Sequence, residues 1–143
     1  MIEHHVLLDF ENVQPTLEQL AKLSPGFTDV WLFYGPHQAN QAQQLAATHK
    51  RVTPVPRSGK GHNALDFHLS FYLGYVAAKH PDAQLVVIAN DQGYDPMIEH
   101  ASKVLGFRAK RVGFQPGKAP VAIKAAPAKK AAVANSGASS VSV

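Results

Sequence analysis

The chain has no cysteine among its 143 residues. That excludes disulfides, thiolate metal sites and a thiol nucleophile, and it is compatible with a reducing compartment. No apolar run approaches the roughly 20 residues needed to cross a bilayer, and Met1-Ile2-Glu3-His4-His5 leads into a strand without the pattern of a signal peptide. A soluble cytoplasmic protein with no membrane partner is therefore expected. Acid is missing from residues 115–143, which hold Lys118, Lys124, Lys129 and Lys130. All ten Asp and Glu, and ten of the 14 Lys and Arg, lie in residues 1–114, so the formal excess of +4 belongs to the tail. There is no HExxH spacing, and the histidines show no other metal-ligand spacing. The loop Arg57-Ser58-Gly59-Lys60-Gly61-His62 lacks the full G-x-x-x-x-G-K-[ST] of a phosphate-binding loop.

What is present fits one globular domain: 45% hydrophobic content in a chain long enough to bury roughly two-thirds of its unfolded surface. Short β-branched or aromatic runs at Val6-Leu7-Leu8, Val30 to Tyr34, Arg51 to Pro56, Leu85 to Ala89 and Phe107 to Val112 predict strands. The prolines of the third place it at a sheet edge. Apolar residues recur at helical spacing over Thr16–Leu23, His37–His49, Asn63–Lys79 and Asp95 to about Leu105, with Asn63 as a cap and Gly106 as a stop. Regular alternation of the two predicts an α/β three-layer sandwich: a parallel sheet of about five strands with helices on both faces. The folded domain is expected over residues 1–114. From Gln115 the pattern gives way to Ala, Lys, Pro and Ser, and residues 115–143 are expected to be a disordered basic tail.

Two buried strands end in acid. Val6-Leu7-Leu8 runs into Asp9-Phe10-Glu11-Asn12, and Leu85–Ala89 into Asn90-Asp91-Gln92-Gly93-Tyr94-Asp95-Pro96, where Asp95-Pro96 reads as an N-cap followed by proline at the first helical position. Asp66 stands in the first turn of the longest helix. In open α/β sheets ligands bind beyond the carboxyl ends of strands, where strand order reverses, and Asp9, Asp66, Asp91 and Asp95 all fall on that predicted edge. Each has an ordinary explanation as a strand end, a dipole partner, a turn residue or a cap. Together they would repel one another unless a cation lay between them. Hard oxygen ligands favour Mg²⁺ or Mn²⁺ over zinc, and such an ion can acidify a water for attack on a phosphodiester.

Leu7-Leu8-Asp9-Phe10-Glu11-Asn12, Asn63-Ala64-Leu65-Asp66 and Val87-Ile88-Ala89-Asn90-Asp91-Gln92-Gly93-Tyr94-Asp95 resemble the three acidic motifs of NYN domains, members of the PIN-like nuclease superfamily. The likeness spans roughly residues 5 to 113. It implies a metal-dependent ribonuclease with Asp9, Asp66 and Asp91 as metal-site acids and Asn12 near the scissile phosphate. The third motif departs from the pattern: relatives often carry a second acid where Gly93 stands, and Asp95 is displaced by two, which ranks it below the other acids. Asn90, Ser58, Lys60 and His62 are lesser candidates for substrate contact. Lys50, Arg51, Arg57 and Lys60 form a local basic stretch able to meet phosphates. The partner implied is RNA, most simply single-stranded, with a homodimer left open. The competing readings are a noncatalytic RNA-binding or protein-docking module, favoured by Gly93, and a phosphoryl-accepting domain. Against the last, the middle strand, Thr53-Pro54-Val55-Pro56, supplies no aspartate.

Overall fold

Which face each apolar side chain takes decides the layers. In the computed structural model, which describes residues 2–61 and 63–117 and the backbone of 121–124, strand β1 (His4–Asp9) lies at the middle of the sheet. Its Val6 and Leu8 point to one face and Leu7 to the other, the period-2 alternation of a strand buried on both sides. Helices α1 (Leu17–Leu23) and α2 (Ala39–Ala47) cover the first face, with Leu20, Leu23 and Ala42 packed on Val6, Leu8, Val30 and Leu32. Helices α3 (Ala64–Lys79) and α4 (Asp95–Lys103) cover the second, where Leu65, Leu69, Leu73, Val76 and Ile98 meet Leu7, Phe33, Leu85 and Val87. The remaining strands are β2 (Asp29–Tyr34), β3 (Val52–Pro56), β4 (Gln84–Ile88), β5 (Arg108–Gly113) and β6 (Val121–Lys124).

The sheet order is β3-β2-β1-β4-β5-β6, and the first five strands are parallel, as the alternating pattern predicts. Proline-bearing β3 occupies an edge, where a missing N–H costs no ladder bond. Strand order reverses between β1 and β4, which are direct neighbours. The two acid-terminated strands are therefore neighbours at the switch point.

Four local expectations are corrected. Val121–Lys124, inside the stretch expected to be without structure, pairs antiparallel with β5; a parallel sheet leaves an open edge with unpaired backbone groups that a short β-branched segment can satisfy. The rest of that tail (118–120 and 125–143) and His62 lie outside the described residues. Asn63 does not cap α3 through its side chain: it adopts a left-handed conformation, φ 66°, with no side-chain cap bond. Asp95 is the first residue of α4 rather than its cap. A 3₁₀ turn at Pro36–Gln38 occupies the start of the expected second helix. Among the described residues no helix is long and apolar enough to cross a membrane.

Candidate metal centre at the carboxyl edge of the sheet

Asp9 closes β1 and is 3% exposed. Its Oδ1 accepts the Asn12 N–H at 3.1 Å, and its Oδ2 accepts the Tyr94 hydroxyl at 2.9 Å. The same hydroxyl lies 3.2 Å from Asp66 Oδ1, in the first turn of α3. One phenolic proton cannot serve two carboxylates at once, so the two acids compete for it. Burial pushes the Asp9 carboxyl up to about 6, with the hydrogen bonds from Tyr94 and Asn12 opposing and Asp66 and Glu11 adding repulsion. Burial also raises Asp66, and the charge of Asp91 adds to that rise. The Tyr94 phenol, buried beside both anions, is driven far above its ordinary value. Asp91 caps the 3₁₀ turn Gln92–Tyr94 by accepting the Gly93 N–H at 2.8 Å. Gly93 thus contributes a backbone donor where relatives carry an acid, and a Cβ there would sit 3.0 Å from Asp91 Oδ1.

Asp66, Asp91 and Tyr94 open onto a cleft of about 370 Å³ that Asn63, Phe67, Ser70, Gly93 and Met97 complete. Asp9 lies behind Tyr94. Among the described residues none of the three aspartates has a basic partner: Arg57 is spent on Glu11 (2.7 Å) and Arg111 on Asp95. Unneutralised carboxylates at one crevice, all hard oxygen donors, are the chemistry a divalent cation fits. Their carboxylate oxygens are not yet gathered as a tight triad, because the Tyr94 hydroxyl stands between Asp9 and Asp66. A cation shared by these two would have to displace that hydroxyl or join it.

The other expected residues divide. Asn12 is drawn into the site: its Oδ1 accepts the Asn90 N–H at 2.6 Å, tying the ends of β1 and β4 together. Asp95 is not a free acid. Arg111, 2% exposed, grips both its oxygens (2.7 and 3.1 Å) and donates to Ala89 O. A buried guanidinium requires such a partner, so Asp95, expected as a metal ligand, serves Arg111 as its counter-ion. The Asn90 side chain is likewise committed, donating to Phe114 O and accepting from Phe114 N at 2.7 Å each. This side chain, expected to contact substrate, is engaged within the chain. Ser58 and Lys60 are exposed on the loop before α3, outside the cleft lining. The loop is pinned by His68, whose Nε2 accepts the Ser58 N–H at 3.0 Å and whose Nδ1 donates to Ala64 O at 2.7 Å. The basic stretch is half-neutralised, since Arg51 pairs with Asp29 and Arg57 with Glu11. Gly35 leaves room for the latter pair: a Cβ there would push the Glu11 carboxylate aside.

The residue that sequence reasoning missed is Tyr94. Its signal was a tyrosine inside an acidic turn, whose hydroxyl needs a partner once the ring is buried. Also missed was Glu3-His5-His80, the one group of three metal-ligating side chains among the described residues with ligand atoms all within 4.8 Å. It lies at the opposite end of the molecule, near the start of β1 and just past the end of α3. Its hydrogen bonds are already complete. Trp31 Nε1–H, a donor only, gives to His5 Nδ1 at 3.2 Å, so His5 carries its proton on Nε2 and donates it to Glu3 Oε1 at 2.7 Å. A cation at Nε2 would have to remove that proton.

Comparison with curated proteins and with solved structures finds no match. The family model described as PIN domain matches residues 3–112, most of the chain and all three acid-bearing segments. With its acids at the switch point of a parallel sheet, the chain belongs to the PIN domain family.

Proposed function

We propose that this protein is a metal-dependent ribonuclease of NYN type that hydrolyses RNA phosphodiester bonds at the carboxyl edge of its sheet. PIN domains are as a family mostly nucleases. The single observation that carries the reading is a row of three acids from three separate segments at the carboxyl edge, Asp9 and Asp66 sharing the Tyr94 hydroxyl and Asp66 and Asp91 lining one cleft, without a basic partner among the described residues. Such repulsion weakens a fold and is retained where a ligand relieves it. Mg²⁺ or Mn²⁺ bound there would supply an acidified water and neutralise charge on the phosphate. The chain's own residues set the geometry. Asn12 N–H and Tyr94 O–H hold the two oxygens of Asp9, Gly93 N–H orients Asp91, and the Asn12 carbonyl locks the two strand ends together. The Asn12 amide nitrogen, without a partner among the described hydrogen bonds, is the group offered to a phosphate oxygen.

The test is cleavage of labelled single-stranded RNA and DNA in Mg²⁺, Mn²⁺ or chelator, by the parent and by Asp9→Asn and Asp91→Asn. RNA cleavage that needs both metal and acids supports the reading. RNA binding without cleavage in any metal would transfer the protein to the second reading, a noncatalytic RNA-binding module. Gly93 and the Tyr94 bridge between Asp9 and Asp66 favour that alternative.

A further inference from the structure

Asp91 and Tyr94 reach the cleft from the connection between β4 and α4, residues 89–94. This segment has few backbone bonds of its own. Asp91 takes the Gly93 N–H on its side chain, and the Tyr94 N–H lies 3.5 Å from Asp91 O, at the limit of a hydrogen bond. Most of what holds it comes from one neighbouring strand. Arg111, on β5, donates from Nη1 to Ala89 O at 3.0 Å and from Nε and Nη2 to the two oxygens of Asp95 at 2.7 and 3.1 Å. Residues 89 and 95 bracket the residues that carry Asp91 and Tyr94. One guanidinium thus spans the connection, and its planar fork fixes the two ends relative to each other.

The end of the same strand adds a second hold. Phe114 N and O both bind the Asn90 side chain, and Gly113 leaves that amide its place, since a Cβ there would sit 3.0 Å from Asn90 Oδ1. Arg111 does not reach the cleft itself: it is 2% exposed and absent from the lining. A buried ion pair is weak ground for stability, because apolar residues of similar volume commonly hold a fold as well. The three-point geometry is what an apolar pair cannot reproduce.

We propose that Arg111 is a positioning residue: by bracing Ala89 and Asp95 it fixes where Asp91 and Tyr94 stand relative to Asp9 and Asp66. Tyr94 transmits the brace to the buried acid, because its hydroxyl meets Asp9 at 2.9 Å and Asp66 at 3.2 Å. A shift of the connection moves the Asp91 carboxylate and that hydroxyl together. Groups that orient metal-site residues from behind are commonly worth roughly 10–100-fold in metal affinity. That consequence rests on the proposed metal site; the brace itself does not.

The experiment removes the brace without leaving a charge unpaired. The full chain carrying Arg111→Met together with Asp95→Asn, and a second variant, Arg111→Lys, which keeps the buried charge but replaces the fork with a single ammonium, are compared with the parent. The readouts are hydrogen exchange of the Gly93 and Tyr94 amides in chelator, Mn²⁺ affinity by calorimetry, and kcat and KM on single-stranded RNA, with urea unfolding as the check on the fold. In both variants the two amides should exchange about 10-fold faster or more, beyond any change in the amides of β1 and β4, which report global stability. The Mn²⁺ dissociation constant should rise roughly 10–100-fold, and kcat should fall with KM little changed. If the double variant fails to fold, Arg111→Lys decides alone. A folded variant whose Gly93 and Tyr94 amides exchange as in the parent overturns the proposal, and so does one that binds Mn²⁺ as tightly as a parent that binds it. A parent that neither binds Mn²⁺ nor cleaves RNA would remove the metal site, and exchange at Gly93 and Tyr94 would then decide the brace by itself: faster in the variants sustains it, unchanged overturns it.

Discussion

The two ends of the central strands differ in how charge is answered. At the amino end Glu3 accepts from His5 at 2.7 Å and lies 3.1 Å from His80 Nδ1, Trp31 satisfies the other nitrogen of His5, and Arg51 holds both oxygens of Asp29. At the carboxyl end Asp9 and Asp66 share one tyrosine hydroxyl, and Asp9 and Asp91 each take one backbone donor, from Asn12 and Gly93. The same sheet supports both, so the open balance at one end is not a failure of packing. Within the same region Asp95 and Arg111 form a fully engaged pair, which shows that the fold supplies a counter-ion where structure is the purpose. Among the described residues no such counter-ion faces Asp9, Asp66 or Asp91, which is the imbalance that the proposed cation would answer.

The largest effect that would break this contrast concerns activity. Asp9→Asn and Asp91→Asn should each lower RNA cleavage by roughly 10²-fold or more, as expected on losing a preorganised charge, while Glu3→Gln at the other end leaves cleavage unchanged; turnover assays on labelled RNA check it. Next is the structural pair. Arg111→Met should destabilise the fold by about 3 kcal/mol in denaturant titration, because it strips a buried partner from Asp95, whereas Arg51→Met, half exposed, should cost under about 1 kcal/mol.

A subtler difference is in the response to pH. Asp9 titrates near 6 in the fold against an ordinary 3.8. Below 3.8 both states are protonated and there is no penalty. Between 3.8 and 6 the unfolded chain ionises while the folded one holds its proton, so stability falls as pH rises, by about 2–3 kcal/mol in all. Asp9→Asn should abolish that decline and exceed the parent in stability above pH 6 in chelator, measured by thermal or denaturant unfolding across pH. Glu3 has the opposite sign. Its carboxyl is lowered, chiefly by the His5 hydrogen bond, so its small contribution is present at neutral pH and lost as the solution is acidified through its folded value. Tyr94→Phe removes a hydrogen bond to a charged group and should cost about 2 kcal/mol in chelator, less once a divalent cation is added.

Much of this was legible in the chain itself. Short apolar runs and helical periodicities are local, so the five parallel strands and four helices, and the placement of Asp9 and Asp91 at or just beyond the ends of neighbouring strands, could be read without coordinates. Pairings between distant residues could not. Nothing local in Arg111 says that it will be buried and will claim Asp95, and nothing in Asn90 says that its amide will clamp Phe114. The edge strand Val121–Lys124 depends on a partner edge that exists only after the sheet has formed.

Whether the carboxyl-edge aspartates are held for a divalent cation is read from the unfolding temperature of parent and Asp9→Asn as Mg²⁺ or Mn²⁺ is titrated at neutral pH. The parent is expected to be stabilised progressively with metal concentration, and the variant to start higher in chelator and gain little. A parent indifferent to both cations, or a variant that follows the same rise, would contradict that role.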